Sequence, residues 1–161
     1  MKLGILGTLS ICALLVGQVT LAETVKIGFV TTLTGGAGAI GNDMRDAVEL
    51  ALDHLGRKMG GSNVKMFYED DTFKPDVGKQ KTEKLVKKDK VHFVTGYIWS
   101  HVLMASRNSV VGKGPFMITS NAGPGPVAGK LCHEDFFSTS WQNDQTTMAM
   151  GEVLNQLGIK D

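Results

Sequence analysis

The sequence predicts an open α/β lobe: a doubly wound, mostly parallel sheet with helices on both faces. Three observations predict it. Short apolar runs suited to buried strands alternate with longer segments whose apolar residues recur at helical spacing. Most of the strand-like runs end in Gly- or Asp-rich turns that lead into helix starts. Residues 23–161 are long enough for one domain and contain no internal repeat or low-complexity tract. A β-α-β-α-β-α-β order calls for right-handed crossovers.

Residues 1–22 stand apart from this pattern. Lys2 precedes an apolar run from Leu3 to Val16, and Thr20 and Ala22 are small residues ahead of a cut. This is the layout of a cleavable export signal, expected to be removed after Ala22. The apolar run is shorter than the ~20 residues needed to span a bilayer. Export places the remainder, 23–161, outside the cytoplasm. Removing Lys2 from 17 basic residues leaves 16 against 16 acidic ones, so the processed chain is neutral. A neutral chain lacks the basic surface that nucleic acid prefers. One cysteine, Cys132, remains after processing, either free and buried or paired outside this chain.

Val25–Thr31 (VKIGFVT) is the first strand. Leu33–Gly41 is a glycine-rich loop, after which Asn42 is expected to cap a helix. Met44, Ala47, Val48, Ala51, Leu52 and Leu55 form that helix's apolar stripe, and Gly56 ends it. Asn63–Tyr68 is the second strand, closed by Glu69, Asp70 and Asp71. Pro75 starts a helix to about Lys88, whose lysines form a solvated face. Val91–Thr95 is the third strand, and Ser100 is expected to cap a helix to about Val111. Pro115–Thr119 is the fourth strand, followed by the Gly/Pro-rich connection Asn121–Gly129. Phe136–Ser140 is read as a fifth strand, and Asp144 begins a last helix with Met148, Val153, Leu154 and Leu157 on one side. A doubly wound unit seldom stops after a helix, so the chain is expected to be one lobe of a larger protein.

Ligands of such sheets bind at the carboxyl ends of the strands. That singles out the loops Leu33–Gly41, Asp70–Phe73, Tyr97–His101 and Ser120–Gly125. The first contains a literal G-x-G-x-x-G: Gly36, Gly38 and Gly41. A dinucleotide site would use these glycines to bring the backbone to a pyrophosphate. The acid expected ~20 residues later is missing, with Gly60 and Gly61 in its place. A plain loop over the helix end, or a loop lining a solute, explains the glycines as well. Ser100 sits at a helix start, where its hydroxyl can cap the helix or join the free N–H groups in holding a carboxylate. Tyr97 and Trp99 share its loop and offer either an aromatic wall to a ligand or ordinary packing. Trp141 carries the same two readings. Asp70 and Asp71 suit an acid/base pair or the closing of a turn. His54, His92, His101 and His133 are scattered without metal-ligand spacing, so neither a metal nor another cofactor is expected. No G-x-S-x-G elbow or other nucleophile setting is present.

Five segments in order, VKIGFVTTLTGGAGAIGNDMRDAVELA, YEDDTFKPDVGKQKTEKLV, VHFVTGYIWS, GPFMITSNAGP and FFSTSWQNDQ, carry a family resemblance from about Val25 to Gly158. The chain resembles the N-terminal lobe of the periplasmic solute-binding proteins of ABC importers of the branched-chain amino acid (leucine/isoleucine/valine) type. The resemblance implies a type I periplasmic-binding-protein lobe, one of two joined by a hinge, with ligand held between them. It implies no enzymatic activity. Ser100 would bind the ligand carboxylate through its hydroxyl and backbone N–H. The loop Asn121, Ala122, Gly123 would follow, with the Asn121 carbonyl meeting an amino group. Members that bind amino acids usually carry Thr where this chain has Gly123. A Thr restored there is expected to move preference toward α-amino acids. With Trp99 before Ser100, the site looks more like the branch that takes up aromatic carboxylates. The implied partners are a small carboxylate solute and an ABC permease complex of the inner membrane, the chain acting as a periplasmic monomer. The competing readings are a dinucleotide-dependent oxidoreductase domain and the ligand-sensing lobe of a signalling receptor.

Overall fold

A computed structural model describes residues 23–159, so the segment read as an export signal lies outside it. The elements are β1 (Val25–Thr31), α1 (Gly38–His54), β2 (Lys58–Met59), β3 (Ser62–Asp70), α2 (Pro75–Lys84), β4 (Phe93–Gly96), α3 (Ser100–Arg107), β5 (Phe116–Thr119), β6 (Phe136–Ser138) and α4 (Asn143–Gln156). A π-turn, Leu85–Asp89, continues α2, and Gly125–Ala128 is a single 3₁₀ turn. The six strands lie in the order β2-β3-β1-β4-β5-β6. All pairs are parallel except β2 with β3. The expected doubly wound α/β lobe is therefore present. The hairpin into β2 is an addition, and Gly60 and Gly61, at φ 57° and 82°, form its turn. Adjacent Gly-Gly between two strands is the sequence signal for such a turn.

Register separates the two faces of the sheet. Val30, Val94 and Met117 point to one face and are fully buried beneath α2, its π-turn and α3, with Leu85, Val102 and Leu103. Close packing on this face relies on small residues. A Cβ on Gly28 would press into Leu85, and one on Gly78 of α2 would overlap Val102 of α3. On the opposite face α1 covers the β1–β3 half, where Val48 and Leu52 approach Ile27 and Met66. No helix among the described residues lies over the β4–β5–β6 half. There Phe93 and Phe116 stack at 5.9 Å, and Phe137 follows at 6.0 Å. Phe116 and Phe137 are 41% and 51% exposed.

Helix α1 begins four positions before the expected cap, because Asn42 plays a different part. Its side-chain amide donates to the carbonyls of Leu33 and Gly38 at 3.0 and 2.7 Å instead of accepting an N–H. Gly38 and Gly41 make this early start feasible. Side chains there would collide with the carbonyls of Leu33 and Thr32. Two of the three glycines in G-x-G-x-x-G therefore serve the approach of α1 to the end of β1. Of the expected stripe, Leu52 is buried, Met44 and Val48 are half-buried, and Ala47, Ala51 and Leu55 are exposed, although Ala51 and Leu55 line the same apolar concavity as Ile27 and Met66.

Helix α4 carries the expected apolar residues but buries none of them. Cys132 is exposed and unpaired among the described residues, which removes the buried alternative. No described helix is long and apolar enough to cross a membrane.

Candidate functional site

The carboxyl edge of the parallel strands is built on three turns. At the first, β4 ends at Gly96, whose φ of 103° lets the chain bend beneath the Val30 carbonyl. Tyr97 follows at φ 62°, its N–H donating to the Val30 carbonyl at 2.7 Å. That left-handed backbone turns the Tyr97 ring into the core. Its hydroxyl shares a 2.7 Å hydrogen bond with Thr82, and burial pushes its pKa well up. Tyr97 thus leaves the aromatic wall, since its side chain is fully covered. Its carbonyl still organises the edge by accepting the Ala122 N–H at 2.9 Å.

Trp99 and Ser100 come next. Trp99 holds the N-cap position of α3, and no side chain caps that helix. Ser100 is the first helical residue, so the expectation that it caps α3 is corrected. Its hydroxyl is free of the helix and instead accepts the Asn143 side-chain amide at 2.9 Å. Trp99 is half-buried, and its indole N–H donates to Thr32 Oγ1 at 3.0 Å.

The second turn follows β5. Thr119 Oγ1 donates to the Ala122 carbonyl at 2.7 Å, folding Asn121, Ala122 and Gly123 back over the strand end. Ala122 and Gly123 are buried and Asn121 half-buried. Gly123 accepts the Asn143 N–H at 2.8 Å. Asn143 therefore ties Ser100 and Gly123 to one point. A Cβ on Gly123 would overlap the Trp141 carbonyl. The Thr expected to retune the site at 123 has no room in this arrangement, and glycine is what the packing requires.

The third turn follows β3 and joins the loop after β1. Asp70 accepts the N–H groups of Leu33 and Thr72, both at 2.9 Å, and the Thr34 hydroxyl at 2.6 Å. Burial alone would raise the Asp70 carboxyl, but these bonds outweigh it and hold it below its ordinary range. Asp71 is fully buried and accepts the Thr32 hydroxyl at 2.5 Å and the Phe73 N–H at 2.8 Å. The two aspartates close turns, one of their two expected roles. Phe73 meets Trp99 edge-on at 4.7 Å and His101 at 5.1 Å. With Thr34, Gly35, Gly36, Ala37 and Thr72, the Phe73 and Trp99 rings line an open cleft of about 340 Å³. Phe73 ends one of the four loops expected at the ligand edge, whereas Asn143 lies in none of them and reaches the edge through Ser100 and Gly123.

A second concavity of about 320 Å³ lies beside Gly123, between Val127, Phe136, Trp141 and Gln142. A larger one, about 570 Å³, opens at the other end of β4 and β5 beside Lys87 and Lys113. It lies away from the carboxyl edge, where open α/β sheets hold ligands. No group of His, Cys, Asp or Glu among the described residues is placed to hold a metal ion.

The sequence profile of periplasmic binding proteins matches residues 24–161, and the chain belongs to that family. A Leu/Ile/Val-binding protein of Rhizobium johnstonii is 29% identical over 61% of this chain and 27% of its own length. An ABC transporter solute-binding protein of R. palustris, solved with benzoate, is 26% identical with a TM-score of 0.79, over 84% of this chain and 38% of that one. The branched-chain amino acid binding protein LivJ of Streptococcus pneumoniae, solved with isoleucine, shares the fold at 22% identity and a TM-score of 0.68, over 74% of this chain and 34% of that one. The chain thus spans about a third of the length of these relatives. Members of the family are extracytoplasmic solute-binding components of ABC transporters rather than enzymes.

Proposed function

We propose that this member of the periplasmic binding protein family is the first lobe of a periplasmic carrier. It captures a small carboxylate solute and delivers it to an ABC permease, acting as a monomer after export. One observation carries the reading. The Ser100 hydroxyl, at the first turn of α3, makes no bond to its own helix and takes a side-chain N–H donor from Asn143. A hydroxyl free to rotate can equally donate to a carboxylate, beside the unpaired N–H groups and positive end of the helix. Trp99 stands on one side of it. Gly123 reaches it through Asn143, with Asn121 and Ala122 just ahead in the same turn. Tyr97 supports the edge from below and makes no side-chain contact with the solute.

The cargo is an aromatic acid or an apolar amino acid, the two kinds named for the benzoate-bound and isoleucine-bound relatives. The aromatic lining of the cleft at Trp99 and Phe73 favours the first. The absence of a hydroxyl at position 123 points the same way. A dinucleotide-dependent oxidoreductase is disfavoured, because Gly60 and Gly61, at a hairpin turn, stand where its ribose-binding acid is expected.

Calorimetric titration of the full-length protein with benzoate, 4-hydroxybenzoate and isoleucine tests the reading. At least one is expected to bind, and Ser100→Ala to weaken it by about 1–3 kcal/mol, the cost of leaving a charged acceptor short of a donor. Unchanged affinity in Ser100→Ala would remove Ser100 from the site. Heat from a nicotinamide dinucleotide, with none from any acid, would overturn the proposal.

A further inference from the structure

Two aromatic rings of the cleft come from different loops, yet both are fixed by one buried carboxylate. Asp71 Oδ1 accepts the Thr32 hydroxyl at 2.5 Å and the Phe73 N–H at 2.8 Å. Thr32 Oγ1 in turn accepts the Trp99 indole N–H at 3.0 Å. The direction of this chain of bonds is not free. An indole only donates, and a threonine hydroxyl has one proton to give, which here goes to Asp71 Oδ1. With that proton committed to Asp71, a Thr32 lone pair faces Trp99 and sets the tilt of the indole.

The second branch reaches Phe73 through its backbone. Phe73 sits at φ 65° and the preceding Thr72 at φ 49°, left-handed conformations uncommon for such residues. Such strain persists only where the surroundings impose it, and it gathers at ligand sites. Here Asp71 imposes it with its side chain on Phe73 and its carbonyl on the Lys74 N–H at 2.9 Å. The result is a perpendicular pair, Phe73 against Trp99, at an interplanar angle of 86°.

Packing alone does not account for Asp71. Its Oδ2 is buried without a partner, and Thr32 is as fully covered as Asp71 itself. A buried carboxyl with an unpartnered oxygen costs stability that an apolar side chain would not. The cost falls where the rings of the cleft are aimed.

We propose that Asp71 is a positioning residue that orients Trp99 through Thr32 and Phe73 through its backbone, and that the wall so formed selects planar ring carboxylates. The inference rests on the carboxylate reading above and deepens it. A flat ring lies against a fixed indole face, whereas a puckered saturated ring of similar size does not. Selection therefore depends on the relay, while carboxylate capture by Ser100 does not.

The test uses the full-length protein with every tryptophan other than Trp99 replaced by phenylalanine, so that indole emission reports Trp99. Benzoate and cyclohexanecarboxylate are the probes. Thr32→Val, which removes the bridging hydroxyl at nearly constant volume, is expected to weaken benzoate about tenfold and cyclohexanecarboxylate less than threefold. Thr32→Ser restores the hydroxyl and is expected to return benzoate to within twofold of the parent. The Trp99 anisotropy decay gains a fast component in Thr32→Val and loses it in Thr32→Ser. Trp99→Phe, on a half-buried position, serves where Thr32→Val does not fold. It keeps a ring but gives up the donor, and shows the same selective loss. Equal loss of both acids, or none, overturns the inference. So does an anisotropy decay indifferent to Thr32. A parent that binds neither acid would instead sink the carboxylate reading and the ring selection with it, leaving anisotropy to decide whether Asp71 aims the rings at all.

Discussion

Helices α3 and α4 carry apolar residues at similar spacing and meet opposite fates. Of the eight residues in α3, Val102, Leu103, Ser106 and Arg107 are buried. Of the fourteen in α4, none is. Helix α3 lies on a finished layer, with α2 beside it and Val94 and Met117 beneath. Helix α4 touches the lobe through its start. Gln142 and Gln145 form a reciprocal capping box there, and Asn143 holds Gly123 and Ser100. An apolar stripe thus announces that a helix wants a partner without saying where the partner is. The fold is secured on the α3 side, while the link between α4 and the lobe passes through the proposed ligand edge.

The sharpest break in this comparison is a matched pair of truncations. Leu103→Ala in α3 is expected to cost about 2–5 kcal/mol, the range for emptying a fully buried leucine site. Leu154→Ala in α4, 37% exposed, should stay within about 0.5 kcal/mol. Urea unfolding of this chain measures both, and equal costs would mean that α4 is packed after all. Next comes Gly123→Thr, where a side chain meets the Trp141 carbonyl just ahead of α4. It is expected to destabilise by roughly 1–3 kcal/mol, as overpacking does, and to weaken every acid rather than favour amino acids. A gain in isoleucine affinity would show that the segment before α4 moves aside freely.

The smallest effect is one of pH and is read here on the α2 side. Burial by itself would raise the Glu69 carboxyl, but bonds from Lys84 and Lys81 outweigh it and hold it below its ordinary 4.5. A depressed carboxyl contributes stability that is fully present above its unfolded pKa and is lost as pH falls through the folded one. Urea midpoints are therefore expected to drop on acidification below about pH 4.5, and Glu69→Gln to flatten part of that drop. Amide exchange in α4 should not follow the same curve.

Much of the fold was legible because strand and helix periods are local. β1, α2 and β5 fall within a residue or two of their expected starts. The misreadings share one cause, which is that sequence gives position along the chain but not the direction of a side chain. Asn42 has the right chemistry for a cap, yet its amide points to carbonyls. Ser100 lies at the expected helix start, yet its hydroxyl leaves the helix. Tyr97 lies in the expected loop, yet a left-handed backbone sends its ring inward. Phe73 lies in an expected ligand loop, yet its place beside Trp99 depends on two loops meeting at Asp71. Gly60-Gly61 carries the local signal of a hairpin turn, and the two-residue strand that leads into it is too short to show a period of its own.

The Phe93, Phe116 and Phe137 ladder has a practical consequence for anyone handling these 161 residues. A contiguous strip of half-bare rings on a sheet face is the kind of surface that holdase chaperones, fluorescent dyes and chromatography resins grip first. Yield, salt tolerance and apparent size on a column will all report that strip. A solubility screen of variants would reward charges placed on it long before it noticed any change in the cleft at the far end of the same strands.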